Sequence, residues 1–264
     1  MKAIIPAAGY GTRMLPITKT IPKEMLPVGN KPVIQYIVQW LADAGIKDII
    51  MITSQGKAVL EDYFDKNYEL EQILMKKGKS DLLDAINAPN DLANIVFTRQ
   101  KTQLWWTHAV AQWQPWITEE YFFMTFGDNF FDPRMYQEMM TLHELTNNPV
   151  VCCIQKPADE LSKYWVMTLD GDRIIDMIEK PAAGQALSDW IMAWAAILPI
   201  RFFSAVAQTS IEERTGEFDV AALRSIIFAE YETLIYRSPY PMRDVGTREL
   251  WLQANIDIVS TDMY

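Results

Sequence analysis

The run Ala3-Ile4-Ile5-Pro6 passes without a spacer into Ala7-Ala8-Gly9-Tyr10-Gly11-Thr12-Arg13-Met14. An apolar strand that feeds a glycine loop constrains the fold more than any other stretch of this chain. Glycines let backbone N–H groups close on an anion, and Arg13 adds a planar fork matched to phosphate oxygens. Pro22-Lys23-Glu24-Met25-Leu26-Pro27 brings a second cation a short way on. A Gly-x-Gly loop alone is weak. The whole string 7–27, with Arg13 and Lys23 inside it, points to a phosphate-binding turn beyond the carboxyl end of a strand.

Short β-rich runs then alternate with helical patterns. Strands are expected over 2–6, 48–53, 95–99, 121–126 and 149–155, with helices over 33–44, 57–64, 135–146 and 247–260 among others. This β-α-β rhythm implies an α/β fold: a Rossmann-like, mixed but mostly parallel central sheet flanked by helices. The later strands, over 165–169, 173–179 and 191–198, have no long helices between them. Asp170-Gly171-Asp172 reads as a hairpin turn, so an antiparallel extension is expected. With no linker, repeat or low-complexity tract, residues 1–264 read as one domain.

Half of the 264 residues are apolar, enough for a large core. A net charge of −10 argues against a nucleic-acid partner, because phosphate backbones need a basic surface. No stretch has the length and apolarity of a membrane span, and one Lys followed by a strand is not a secretory leader. A cytoplasmic chain with no membrane partner is the expectation; homo-oligomerisation stays open. The two cysteines, Cys152 and Cys153, are adjacent in an apolar strand. Neighbours in a strand point to opposite faces, so these two read as buried small hydrophobes rather than a bridge.

The string Ala-Ala-Gly-x-Gly-Thr-Arg-Met-Leu-Pro-x-Thr-Lys-x-x-Pro-Lys-Glu-Met-Leu-Pro over 7–27 resembles the start of the bacterial UTP–glucose-1-phosphate uridylyltransferases (UDP-glucose pyrophosphorylases), within the sugar-nucleotide nucleotidyltransferases. The likeness continues through Lys31-Pro32-Val33-Ile34-Gln35-Tyr36, Phe126-Gly127-Asp128, Glu179-Lys180-Pro181 and Arg243-Asp244-Val245-Gly246-Thr247. It implies attack of a sugar-1-phosphate on the α-phosphorus of UTP, assisted by Mg²⁺, with pyrophosphate leaving. Ala8, Gly9, Gly11 and Thr12 would then contact the nucleotide, while Arg13 and Lys23 bind and polarise the triphosphate. Gln103 would read the uracil edge, Glu179 the sugar hydroxyls and Lys180 the sugar phosphate. Asp128 and Asp244 would hold the metal. His108 would support the base pocket from behind.

The middle of the chain departs from that pattern. Where the family carries Gln-Leu-Gly-Thr-Gly-His, this chain has Gln103-Leu104-Trp105-Trp106-Thr107-His108. Tyr-Gly becomes Tyr164-Trp165, and Ala-Gly-Ala-Tyr becomes Ala193-Trp194-Ala195-Ala196. Trp190 stands at a leucine-like position beside Asp189, where Asn is usual. Bulky indoles at former glycines predict a rebuilt pocket, natural or engineered, with uridylyl transfer reduced or lost. The alternatives are a cleft for a flat apolar or aromatic ligand or partner, or a new reaction there. For the last, Lys156 is the candidate amine, against the plainer reading of a strand-end lysine reaching for solvent.

Overall fold

Alternation along the strands sorts the apolar residues onto two faces of one sheet. In a computed structural model of the chain, the described residues are 1–100, 105–208, 227–228 and 230–260, with only the backbone described at Trp105, Trp106 and His108. The elements are β1 (Lys2–Pro6), β2 (Pro27–Val28), β3 (Lys31–Pro32), α1 (Val33–Asp43), β4 (Asp48–Thr53), α2 (Ala58–Phe64), α3 (Tyr68–Lys76), α4 (Ser80–Asn87), β5 (Asn94–Arg99), α5 (Trp105–Ala111), β6 (Tyr121–Thr125), β7 (Asn129–Phe130), α6 (Pro133–Thr146), β8 (Val150–Gln155), β9 (Trp165–Asp170), β10 (Arg173–Glu179), β11 (Trp190–Pro199), α7 (Arg201–Gln208), β12 (Leu234–Arg237), β13 (Arg243–Asp244) and α8 (Arg248–Ser260).

Nine strands form a mixed sheet in the order β5-β4-β1-β6-β11-β8-β12-β10-β9. The first four run parallel, with Ile4 opposite Ile50 and Ile50 opposite Val96. β11 enters antiparallel between β6 and β8, and β9 and β10 form the expected antiparallel hairpin about Gly171. On one face Ala3, Ile5, Ile49, Met51, Phe123 and Cys152 pack under α1, α2, α6 and α8. On the other, Ile4, Ile50, Ile52, Phe122, Met124 and Cys153 pack under α5 and α7. Both cysteines are free and buried, one in each layer, as their adjacency requires. Burial pushes both thiols well above the ordinary cysteine range, so neither is poised as a nucleophile.

His143, which has a surface-like sequence context, is in fact buried at the end of α6. Its Nδ1 lies 2.8 Å from the Asn148 carbonyl oxygen and its ring packs edge-on against Tyr121. No helix among the described residues is long and apolar enough to cross a membrane.

Candidate active site

The glycine loop leaves β1 at Pro6, and the Ala7 N–H donates to the Ile52 carbonyl at 2.7 Å, so the loop starts locked to β4. Gly11 takes φ +62°, a left-handed conformation that costs glycine nothing, and the chain then winds into a short 3₁₀ turn carrying Thr12 and Arg13. A second such turn, Lys23–Met25, presents Lys23.

A cavity of about 730 Å³ opens beyond the ends of β1, β5 and β6. Ala8, Gly9, Tyr10, Thr12 and Arg13 line one side, Lys23, Glu24, Asp128, Asn129 and Asp244 its floor, and Gln100, Ala109, Phe126, Tyr164, Trp194 and Met242 the remainder. The two aspartates, far apart in sequence, meet through a ladder too short to read in advance. β13 pairs antiparallel with β7, setting Asp244 opposite Asn129, and the Val245 N–H donates to the Asp128 carbonyl at 3.1 Å.

Charge is concentrated at this floor. Lys23 Nζ donates to Asp128 Oδ2. Burial alone would lower the Lys23 pKa, but Asp128, Glu24 and Asp244 outweigh it and hold the ammonium above the usual lysine value. Asp244 is shifted up by burial and by the Asp128 charge, against the pull of the Gly246 N–H, Arg13 and Lys23. Beneath lies a pair that the sequence did not disclose: Lys57 Nζ donates to Glu24 Oε1 and Oε2 at 3.0 and 2.8 Å and to the Ala7 carbonyl at 2.5 Å. Glu24 is 1 % and Lys57 6 % exposed. Burial lowers the Lys57 pKa in spite of Glu24. The only sequence cue was Glu24 itself, a carboxylate between Lys23 and the apolar run Met25-Leu26-Pro27.

Of the other residues named from sequence, Gln103 lies outside the described residues. Trp105 and Trp106 stand in the first turn of α5. Thr107 is fully buried there, with its hydroxyl lacking a hydrogen-bond partner. Glu179 and Lys180 are exposed at the end of β10 and bind each other at 2.9 Å instead of lining the cavity. Lys180 sits at φ +44°, and its N–H donates to the carbonyl of the cavity residue Tyr164 at 2.8 Å.

The expected tryptophan cluster divides. Trp194 lines the cavity, meets Phe126 edge-on at 5.2 Å, and holds φ +59° where β11 bulges against β8. Trp165 does not reach the cavity: on β9 it alternates with Val166, and its side chain packs into the core beside Met167. Trp190 likewise packs against that core, under the Arg237 guanidinium at 5.5 Å. Asp189 accepts from Gln155 Nε2 at 2.5 Å. Lys156 pairs loosely with Glu160 at 3.8 Å and lies over the Tyr164 ring, outside the cavity. Of Trp165, Trp190 and Trp194, whose side chains are described, Trp194 alone lines the cavity.

Residues 2–256 match the Nucleotidyl transferase family. The chain belongs to that family. A UTP–glucose-1-phosphate uridylyltransferase of Staphylococcus epidermidis is 35% identical over 268 residues, covering 99% of this chain and 93% of its own. The crystal structure of an apo UDP-glucose pyrophosphorylase superposes with a TM-score of 0.90 at 30% identity, over 99% of this chain and 98% of that one. A UTP-bound UGPase from Acinetobacter baumannii gives 0.89 at 27%, over 97% and 92%. The nucleotidyl transferase fold of these relatives is the one described above.

Proposed function

We propose that this nucleotidyl transferase moves a uridylyl group from UTP to glucose-1-phosphate, yielding UDP-glucose and pyrophosphate. One observation carries the reading: the glycine loop, Arg13, Lys23, Asp128 and Asp244 share one cavity. The names of the similar proteins support the choice of substrates. The sugar phosphate attacks the α-phosphorus in line, and catalysis is positioning plus charge neutralisation. Ala8, Gly9, Gly11 and Thr12 hold the triphosphate, and Arg13 and Lys23 stabilise the charge that builds on it. Gln103 reads the base. Glu179 and Lys180 leave their mutual pairing to take the sugar hydroxyls and phosphate.

Mg²⁺ fits the donor set. Two carboxylates, Asp128 and Asp244, are brought together on the cavity floor by the β7–β13 pairing, and Mg²⁺ takes one or two carboxylates with substrate phosphates completing its shell. Once bound it supplies Lewis-acid neutralisation of phosphoryl oxygens. Transfer is slow because Trp194 takes room from the base and sugar.

A second reading rests on the aromatic rim of Tyr10, Phe126, Tyr164 and Trp194: a cleft rebuilt for a flat apolar ligand. Pyrophosphate release from UTP and glucose-1-phosphate decides between them. Mg²⁺-dependent turnover below the roughly 10 per second of ordinary enzymes is expected. Neither turnover nor UTP binding would leave the aromatic cleft standing.

A further inference from the structure

Lys57 lies outside the cavity lining and has no part in the proposed reaction, yet its ammonium is buried and all three of its N–H groups have an acceptor within 3.0 Å. One acceptor is the carbonyl of Ala7, where the phosphate loop starts. The other two belong to Glu24, beside Lys23. Ala7 is therefore held from both sides: its N–H by Ile52 at the end of β4, its carbonyl by Lys57 at the start of α2. In a trans peptide the C=O and the following N–H point in opposite directions. Drawing the Ala7 carbonyl toward Lys57 thus turns the Ala8 N–H away from it, and Ala8 lines the cavity. On the other arm, Glu24 is wedged between Lys57 and Gly127, whose missing Cβ would come within 3.0 Å of Glu24 Cγ.

We propose that Lys57 is a positioning residue for triphosphate binding. A single ammonium fixes the first peptide of the phosphate loop and the turn that carries Lys23 against each other. This inference rests on the nucleotide-binding reading of the cavity. A displacement of about 1 Å in such a constellation costs about a hundredfold in rate.

Lys57→Met alone strands a buried Glu24 charge and risks unfolding. The test therefore compares Glu24→Gln, in which Lys57 can shed its proton and still donate to the Ala7 carbonyl, with the double variant Lys57→Met/Glu24→Gln, which removes both partners together. UTP affinity by calorimetry, KM for each substrate, the thermal midpoint and amide hydrogen exchange over residues 7–14 are measured on the full chain. The expected result is a double variant that melts close to Glu24→Gln but binds UTP about tenfold more weakly, an effect of about 1.4 kcal/mol. Its loop amides exchange faster, and KM for glucose-1-phosphate is unchanged. Equal UTP affinity and loop exchange in the two variants overturns the proposal. So does a fall in midpoint with every kinetic constant declining in parallel, which is the mark of a structural role. If the unaltered protein binds no UTP, the transferase reading fails, and loop exchange still decides the role of Lys57.

Discussion

On the phosphate wall of the cavity, Ala7 is held by Ile52 and Lys57, Glu24 by Lys57, and Lys23 by Asp128, each partner coming from another element. On the side of the molecule built from β9 to β11, two residues, one in the cavity and one outside it, hold backbone conformations that L-residues avoid. Trp194 holds φ +59° and Lys180 φ +44°, and the Glu179–Lys180 pair is exposed. Left-handed backbone at a residue with a Cβ costs about 1–3 kcal/mol and persists only where surrounding structure enforces it. The contrast separates a wall whose backbone and side chains agree from a region where two residues with a Cβ hold glycine-type backbone geometry.

Substitutions in the two regions should therefore fail in different ways. Lys23→Ala removes the cation facing Asp128 and is expected to lower kcat for pyrophosphate release about 10²–10³-fold; a loss of less than threefold would remove Lys23 from the chemistry. Gly127→Ala drives a Cβ into Glu24 and should destabilise the fold by about 1–3 kcal/mol, read as a lower denaturant midpoint. An unchanged midpoint would mean that the phosphate wall yields more readily than its packing implies.

Trp194→Gly restores a residue suited to φ +59° and empties part of the cavity, so kcat/KM with UTP and glucose-1-phosphate should rise about tenfold. The relieved backbone strain and the lost edge contact with Phe126, worth about 0.5–1.5 kcal/mol, oppose each other, so the midpoint should move little. A drop in turnover would make Trp194 part of a working site and end the comparison in its present form. The smallest effect is expected for Lys180→Gly: a gain of about 1 kcal/mol in stability from the relieved φ, with a higher KM for glucose-1-phosphate and unchanged UTP affinity. A change in UTP affinity instead would tie Lys180 to the nucleotide rather than to the sugar phosphate.

Much of the layer structure could be read in advance. Period-two burial placed Cys152 and Cys153 on opposite faces, and Asp170-Gly171-Asp172 closed the β9–β10 hairpin. Arg13, Lys23, Asp128 and Asp244 were named from motif strings and do share one cavity. The reading went astray where it needed the direction of a side chain. Trp165 and Trp194 both replace glycines of the resembling pattern, yet Trp165 falls on the core side of a regular strand and only Trp194, at a bulge, turns to the cavity.

By itself the sequence determined the strand and helix alternation, the glycine loop and the identity of the charged groups around it. Each of these is a local property, set by side-chain period and by the backbone freedom of a few residues. Tertiary structure alone decided that β7 and β13, two residues each, would pair and bring Asp244 to Asp128, and that Lys57 would reach Glu24 and Ala7 beneath the loop. A two-residue strand carries no periodicity. A buried lysine is chemically indistinguishable in sequence from an exposed one until the fold removes water from around it and leaves carboxylate and carbonyl oxygens as its partners.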